Sequence, residues 1–306
     1  MHPLIFYALI MLSLGKDLTQ KKSNISDFAD LAKRVLNHLP DVLSSYEEKN
    51  HYRLYVAQSG STIKHARPLN QKLFIADPSK FIDAFNKYST TTSKIRNKKE
   101  KFSEEEKQNI DSVLYTIQQS IGIGLDLFVN PNSARKHVGN RFEELIKAIF
   151  TDLGIQNKQL VLQIPYETDE GEKIYKCETD LILSPYSQVK STNKSVDKKE
   201  VVVSIKTTSK DRMGKIFMDR ILMESFVNHK VKMIGIFLND VQRKEKNNIS
   251  YTLVSGLFMV YTRFLTELEG VYYLDPPPNV FKSPYNKYMN PFSELITKDI
   301  WRLLSS

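Results

Sequence analysis

A single cysteine, Cys177, stands among 306 residues, and that scarcity closes off several classes of protein. No intrachain disulfide can form and no second thiolate exists to build a zinc finger, so a reducing cytoplasm is the expected setting. A long hydrophobic run is missing too. The most apolar stretch, Leu4 to Leu14, falls short of the roughly 18 residues that span a bilayer. It also lacks a positive n-region and a small-residue cleavage site, so a buried or interface helix is expected and no membrane partner. The chain has no internal repeat, no long low-complexity tract and no His-rich pattern around His137 or His229, which are expected at the surface.

What is present describes an ordinary globular chain with a basic excess. The hydrophobic fraction is 41% and the mean hydropathy −0.37, enough apolar residue to build one large core or two modest ones. The net charge of +9, with a pI near 9.3, favours a polyanionic partner such as nucleic acid.

Residues 1–100 read as a mainly helical N-terminal region. Apolar residues at helical spacing from Asp27 to Leu39 predict a helix that Pro40 ends. The polar, basic stretch near 88–102 predicts a linker, after which Ser103 and the acidic run Glu104 to Glu106 open a helix. Gly122, Gly124 and Asn130 to Asn132 predict a second loop. From Ser133 the order sharpens: a helix to about Leu153, a strand at Leu160 to Ile164, a turn at Gly171, and a strand from Tyr175 to Ser184. A Lys-rich loop, Ser191 to Lys199, then precedes a β-branched strand from Val201, a helix from about Asp211 to Asn228 and a strand from Lys232 to Leu238. Tyr251 to Leu265 stays ambiguous, and Tyr272 and Tyr273 are expected to pack in the core.

Two of these strands carry charge where packing alone would not place it. Val201-Val202-Val203-Ser204-Ile205-Lys206 brings a lysine to the end of an apolar strand, and the preceding strand carries Glu178 and Asp180, two apart and so expected on one face. The pairing suggests one metal-dependent site.

This order of elements, with charge on the second and third strands, resembles the PD-(D/E)XK nuclease superfamily, the fold of most type II restriction endonucleases. The resemblance covers about residues 133–240, and 101–306 is expected to form the catalytic domain. It implies a mixed α/β sheet flanked by helices, in which Asp180 matches the first acid, Lys206 the lysine, and Glu143 the acid often carried by the preceding helix. Thr179 stands where the motif has Pro, and Ser204 where it has Asp or Glu. One branch, which recognises CCGG and interrupted CC/GG sites, tolerates Ser there and supplies the acid from the next helix. The run Lys206-Thr207-Thr208-Ser209-Lys210-Asp211-Arg212 is similar to that branch, and Asp219 falls where its relocated acid stands, with Glu224 as the fallback.

The resemblance implies a magnesium-dependent cut in double-stranded DNA that leaves 5′-phosphates, made by a homodimer. Asp180, Asp219 and the Ile205 carbonyl would hold Mg2+, Lys206 would orient and deprotonate water, and Glu143 would act through a second water. Lys210, Asp211 and Arg212 would read C·G pairs in the major groove. Glu178 and Ser204 are secondary: an exposed neighbour and a small residue near the metal. A structure-specific nuclease of the same superfamily and a non-catalytic DNA-binding protein remain the alternatives.

Overall fold

The computed structural model describes residues 13–43, 45–59, 62–97, 101–210, 212–244 and 248–305. In chain order these form α1 (13–19), α2 (Ile25–Val42), β1 (Ser45–Lys49), β2 (Tyr52–Ser59), β3 (Thr62–His65), β4 (Leu69–Asn70), α3 (Pro78–Arg96), α4 (Glu104–Phe128) and α5 (Pro131–Asp152). There follow β5 (Gln156–Thr168), β6 (Gly171–Ser184), β7 (Val201–Lys206), α6 (Met213–Val227), β8 (Lys232–Asn239), β9 (Val241–Lys244), β10 (Asn248–Tyr251), α7 (Ser255–Phe264), β11 (Gly270–Asp275) and β12 (Met289–Pro291). At the C-terminal end α8 (Phe292–Glu294) runs through a π-helical turn (Leu295–Asp299) into α9 (Ile300–Ser305). All but the last two residues of the apolar stretch Leu4 to Leu14 lie outside the described residues, as does Asp211; of that stretch, Leu14 is fully buried.

Two compact units divide the chain: residues 1–149 with 241–251, and residues 150–240 with 252–306. The first unit holds α2, α3 and α4 with an antiparallel sheet in which β2 pairs β1, β3 and β4, and the β9–β10 hairpin. Its helix ends follow local chemistry. Ser103 and Glu106 make reciprocal side chain to backbone bonds at the start of α4, a capping box that satisfies two donors the helix would otherwise leave open.

Three expectations in this unit need correction. Pro40 lies inside α2, in its last turn, where the missing N–H forfeits one helical bond and Leu43 N–H closes the end on the Leu39 carbonyl. Thr90 to Arg96 continue α3, so the stretch expected as linker is helical through residue 96. Gly122 and Gly124 sit within α4, not in a loop: a Cβ at Gly122 would meet the Arg67 guanidinium at 2.4 Å, and one at Gly124 would meet Leu18 at 2.8 Å. Close approach, not chain reversal, explains both glycines.

The second unit is built on a six-stranded mixed sheet ordered β12-β11-β8-β7-β6-β5. β6 runs antiparallel to β5 and β7, and β7, β8, β11 and β12 are parallel. Parallel strands need crossovers, which α6 supplies between β7 and β8 and α7 between β8 and β11. Ile182, Val202, Met233, Phe237 and Tyr273 of the sheet share one apolar cluster with Ile216, Phe217 and Met223 of α6 and Phe258 of α7. Tyr272 and Tyr273 are buried, as expected, and the ambiguous segment divides into β10 and α7.

Candidate active site

Lys206 is the last residue of β7, a strand whose other five residues are fully buried, so the lysine emerges at the rim of the sheet with its stem on apolar ground. Asp180 comes to the same rim by a defect in the neighbouring strand. Lys158 pairs with Ile182 but Leu160 pairs with Thr179, so Asp180 and Leu181 together stand opposite Gln159. Such a bulge re-aims a side chain and ends regular pairing, and the ladder to β7 stops at Leu181 and Val203. Past that point the Asp180 carboxylate takes the place of the strand: its Oδ2 accepts the Ile205 N–H at 2.7 Å, the Ser204 hydroxyl at 3.4 Å and the Lys206 ammonium. Asp180 and Lys206 keep 17% and 23% of their side chains exposed, so the pair is reachable from outside.

Thr179 makes the bulge possible. Its buried hydroxyl accepts the Leu160 N–H at 3.2 Å and donates to the Leu160 carbonyl at 2.9 Å, replacing the backbone bonds the irregularity removes. A Pro at this position could offer neither. Up to Asp180 the strand alternates, Cys177 and Thr179 buried and Glu178 exposed opposite Val161; past Asp180 the bulge resets the phase, so that Ile182 returns to the side of Cys177.

The other expected residues are placed as follows. Asp219 lies on α6 with both oxygens on Lys215, at 2.6 and 2.7 Å, one turn away. It stands close enough to Cys177 to act on it: burial first, then the Asp219 charge, pushes that thiol up to about 11. Glu224 is committed elsewhere, accepting from Arg220 Nε and from the Val231 N–H, each at 3.0 Å. Arg220 in turn is buried and holds Glu269, so Glu224 belongs to an ionic network that anchors α6 at the start of β8. Glu143 is half-buried on α5, in the other compact unit. Lys210 and Arg212 are exposed between β7 and α6, Arg212 at the helix N-cap without a capping side chain. Asp211 between them lies outside the described residues.

Sequence reading passed over Asp240. This carboxylate is fully buried at the end of β8 and accepts from the Thr208 hydroxyl (3.0 Å), from the N–H and hydroxyl of Ser209 (both 2.7 Å) and from the Thr252 hydroxyl (3.2 Å). An acid closing an apolar strand beside the lysine strand was the available signal.

Among the described residues no three His, Cys, Asp or Glu side chains lie together as a ready-made metal cluster. The corner at Asp180 nonetheless suits a hard divalent cation. Asp180 Oδ1 accepts from none of the described residues, and the Ile205 carbonyl faces the β6 side with its own N–H, past the end of the ladder. Both are oxygen donors, the type magnesium selects.

No family model matches the chain, and no curated protein does. Among solved structures, the crystal structure of the Type IIP restriction endonuclease Kpn2I superposes with a TM-score of 0.67 at 17% identity, covering 92% of this chain and 91% of that one. The fold is therefore that of a restriction endonuclease. A second structure, the restriction endonuclease PspGI with its substrate DNA, gives a TM-score of 0.41 at 12% identity over 74% of this chain and 93% of that one.

Proposed function

We propose that this chain is a magnesium-dependent endonuclease that cuts double-stranded DNA at a specific sequence and leaves 5′-phosphates, in the manner of a type II restriction enzyme. The observation that carries the reading is the meeting of Asp180 and Lys206 at a bulged, solvent-reachable strand end, on a fold shared with Kpn2I. The net charge of +9 suits the phosphate backbone.

A phosphodiester resists attack because its own negative charge repels the nucleophile. Asp180, Asp219 and the Ile205 carbonyl are the groups that would hold the cation. When bound, the cation neutralises the scissile oxygens and acidifies a bound water. Lys206 would orient the attacking water through its ammonium and accept the water's proton after giving one up. Ser204, small and 6% exposed, leaves room beside the pair. Lys210, Asp211 and Arg212 are assigned to the bases. Arg can donate two bonds to guanine and an acid can accept from cytosine, so the target is expected to contain a C·G step.

A homodimer follows from the chemistry: two antiparallel strands need two copies of one site, and a palindromic target mirrors two-fold symmetry. The test is digestion of a long plasmid with magnesium. Discrete bands support the reading, nicking only at branched or mispaired DNA assigns a structure-specific nuclease, and retention of DNA without cleavage assigns a binding protein. Asp180→Asn and Lys206→Ala should each lower cleavage by about 10²–10⁴-fold while a gel shift in calcium stays near wild type. Near wild-type cleavage by either variant sinks the assignment.

A further inference from the structure

We infer that Asp240 is a positioning residue for base recognition: its buried carboxylate fixes Thr208 and Ser209, and thereby which base pairs Arg212 reads. The inference rests on the nuclease reading above and adds a residue to it.

β7 and β8 run parallel as far as Lys206 and Phe237, and one further backbone bond joins Asn239 N–H to the Thr207 carbonyl at 3.4 Å. There strand pairing ends, and a segment leaving a sheet has no ladder to define its course. Asp240 supplies that definition. Its two oxygens take the Thr208 hydroxyl and both donors of Ser209. Ser209, so fixed, presents its carbonyl to the N–H groups of Arg212 at 3.0 Å and Met213 at 2.9 Å, the first bonds of α6. The backbone at Arg212 and Met213, where the helix begins, is thus held through one serine.

The fourth donor comes from Thr252, whose N–H also bonds the Asp240 carbonyl at 2.9 Å. Asp240 and Thr252 both belong to the second unit, so the same carboxylate ties the segment to the point where the chain returns at Thr252. A carboxylate with no solvent exposure and four neutral donors is a demanding arrangement: removing one acceptor oxygen strands a buried donor. Simple packing at the end of β8 would be met by an apolar residue.

The experiment compares wild type, Asp240→Asn and the milder Thr208→Val, which removes one donor and leaves the carboxylate. Each is first checked by thermal unfolding for a cooperative transition. Cleavage of an oligonucleotide library with randomised sites is read by sequencing the ends, and kcat and KM are measured on the wild-type site and on sites changed at one base pair. The expected result is a relaxed consensus in both variants, with KM discrimination falling about tenfold or more in Asp240→Asn while kcat on the wild-type site changes less than about threefold. An unchanged consensus in folded variants overturns the inference alone. So does a fall in kcat at unchanged KM, which would make Asp240 a support of the catalytic strand. Wild-type protein that cuts at no defined sequence overturns the nuclease reading first, and this inference with it.

Discussion

At the scale of single residues, what separates the candidates is what each side chain already holds. Asp180 is engaged through one oxygen only, by the groups a strand end leaves open, whereas Glu224 is engaged by Arg220 and a strand N–H. Glu224→Gln is therefore expected to leave cleavage near wild type while lowering stability by about 1–3 kcal/mol, because a buried arginine loses part of its partner. Urea unfolding beside a cleavage assay checks it, and a large loss of cleavage in a stable variant would return Glu224 to the site. Asp219 offers a readout that needs no DNA. Burial of the Cys177 thiol first, and the Asp219 charge second, push that thiol up to about 11, so iodoacetamide should label this cysteine very slowly at pH 8 in the folded protein. Asp219→Asn should quicken that labelling and abolish cleavage; labelling of wild type at the rate of a free thiol would contradict the burial.

Among the elements, the β6 bulge does what sequence motifs cannot display. It moves Asp180 out of register, and the Thr179 hydroxyl satisfies the Leu160 amide and carbonyl that would otherwise be stranded. Thr179→Val keeps shape but leaves those two groups unpaired, at a cost of about 1–3 kcal/mol. Cleavage should fall with it, because Asp180 loses the backbone that aims it, while Thr179→Ser should restore both. Denaturant midpoints and cleavage rates of the two variants decide the point: a fully active, fully stable Thr179→Val would mean the bulge is held by something else. The Arg220 network plays the corresponding part for α6, binding Glu224 and Glu269 at once.

For the whole molecule, a basic chain on a restriction-endonuclease fold is expected to act in pairs. On a duplex carrying its site, sedimentation should give twice the mass of one chain plus DNA, and both strands should be cut within one encounter. A single copy that cuts both strands would remove the dimer. The sequence by itself determined the helix start at Ser103, the buried strand Val201 to Lys206 and the turn at Gly171, because each is written in neighbours a few residues apart, whereas the helix expected from Ser133 starts two residues earlier, at Pro131. The Lys215–Asp219 pair is equally local, one helical turn apart. Only the tertiary structure decided the rest. Whether Asp180 faces Lys206 depends on which residue of β5 lies opposite β6, and Asp240 meets Ser209 from 31 residues along the chain. Pairings of that reach are set by how the sheet assembles, which no local pattern of residues encodes.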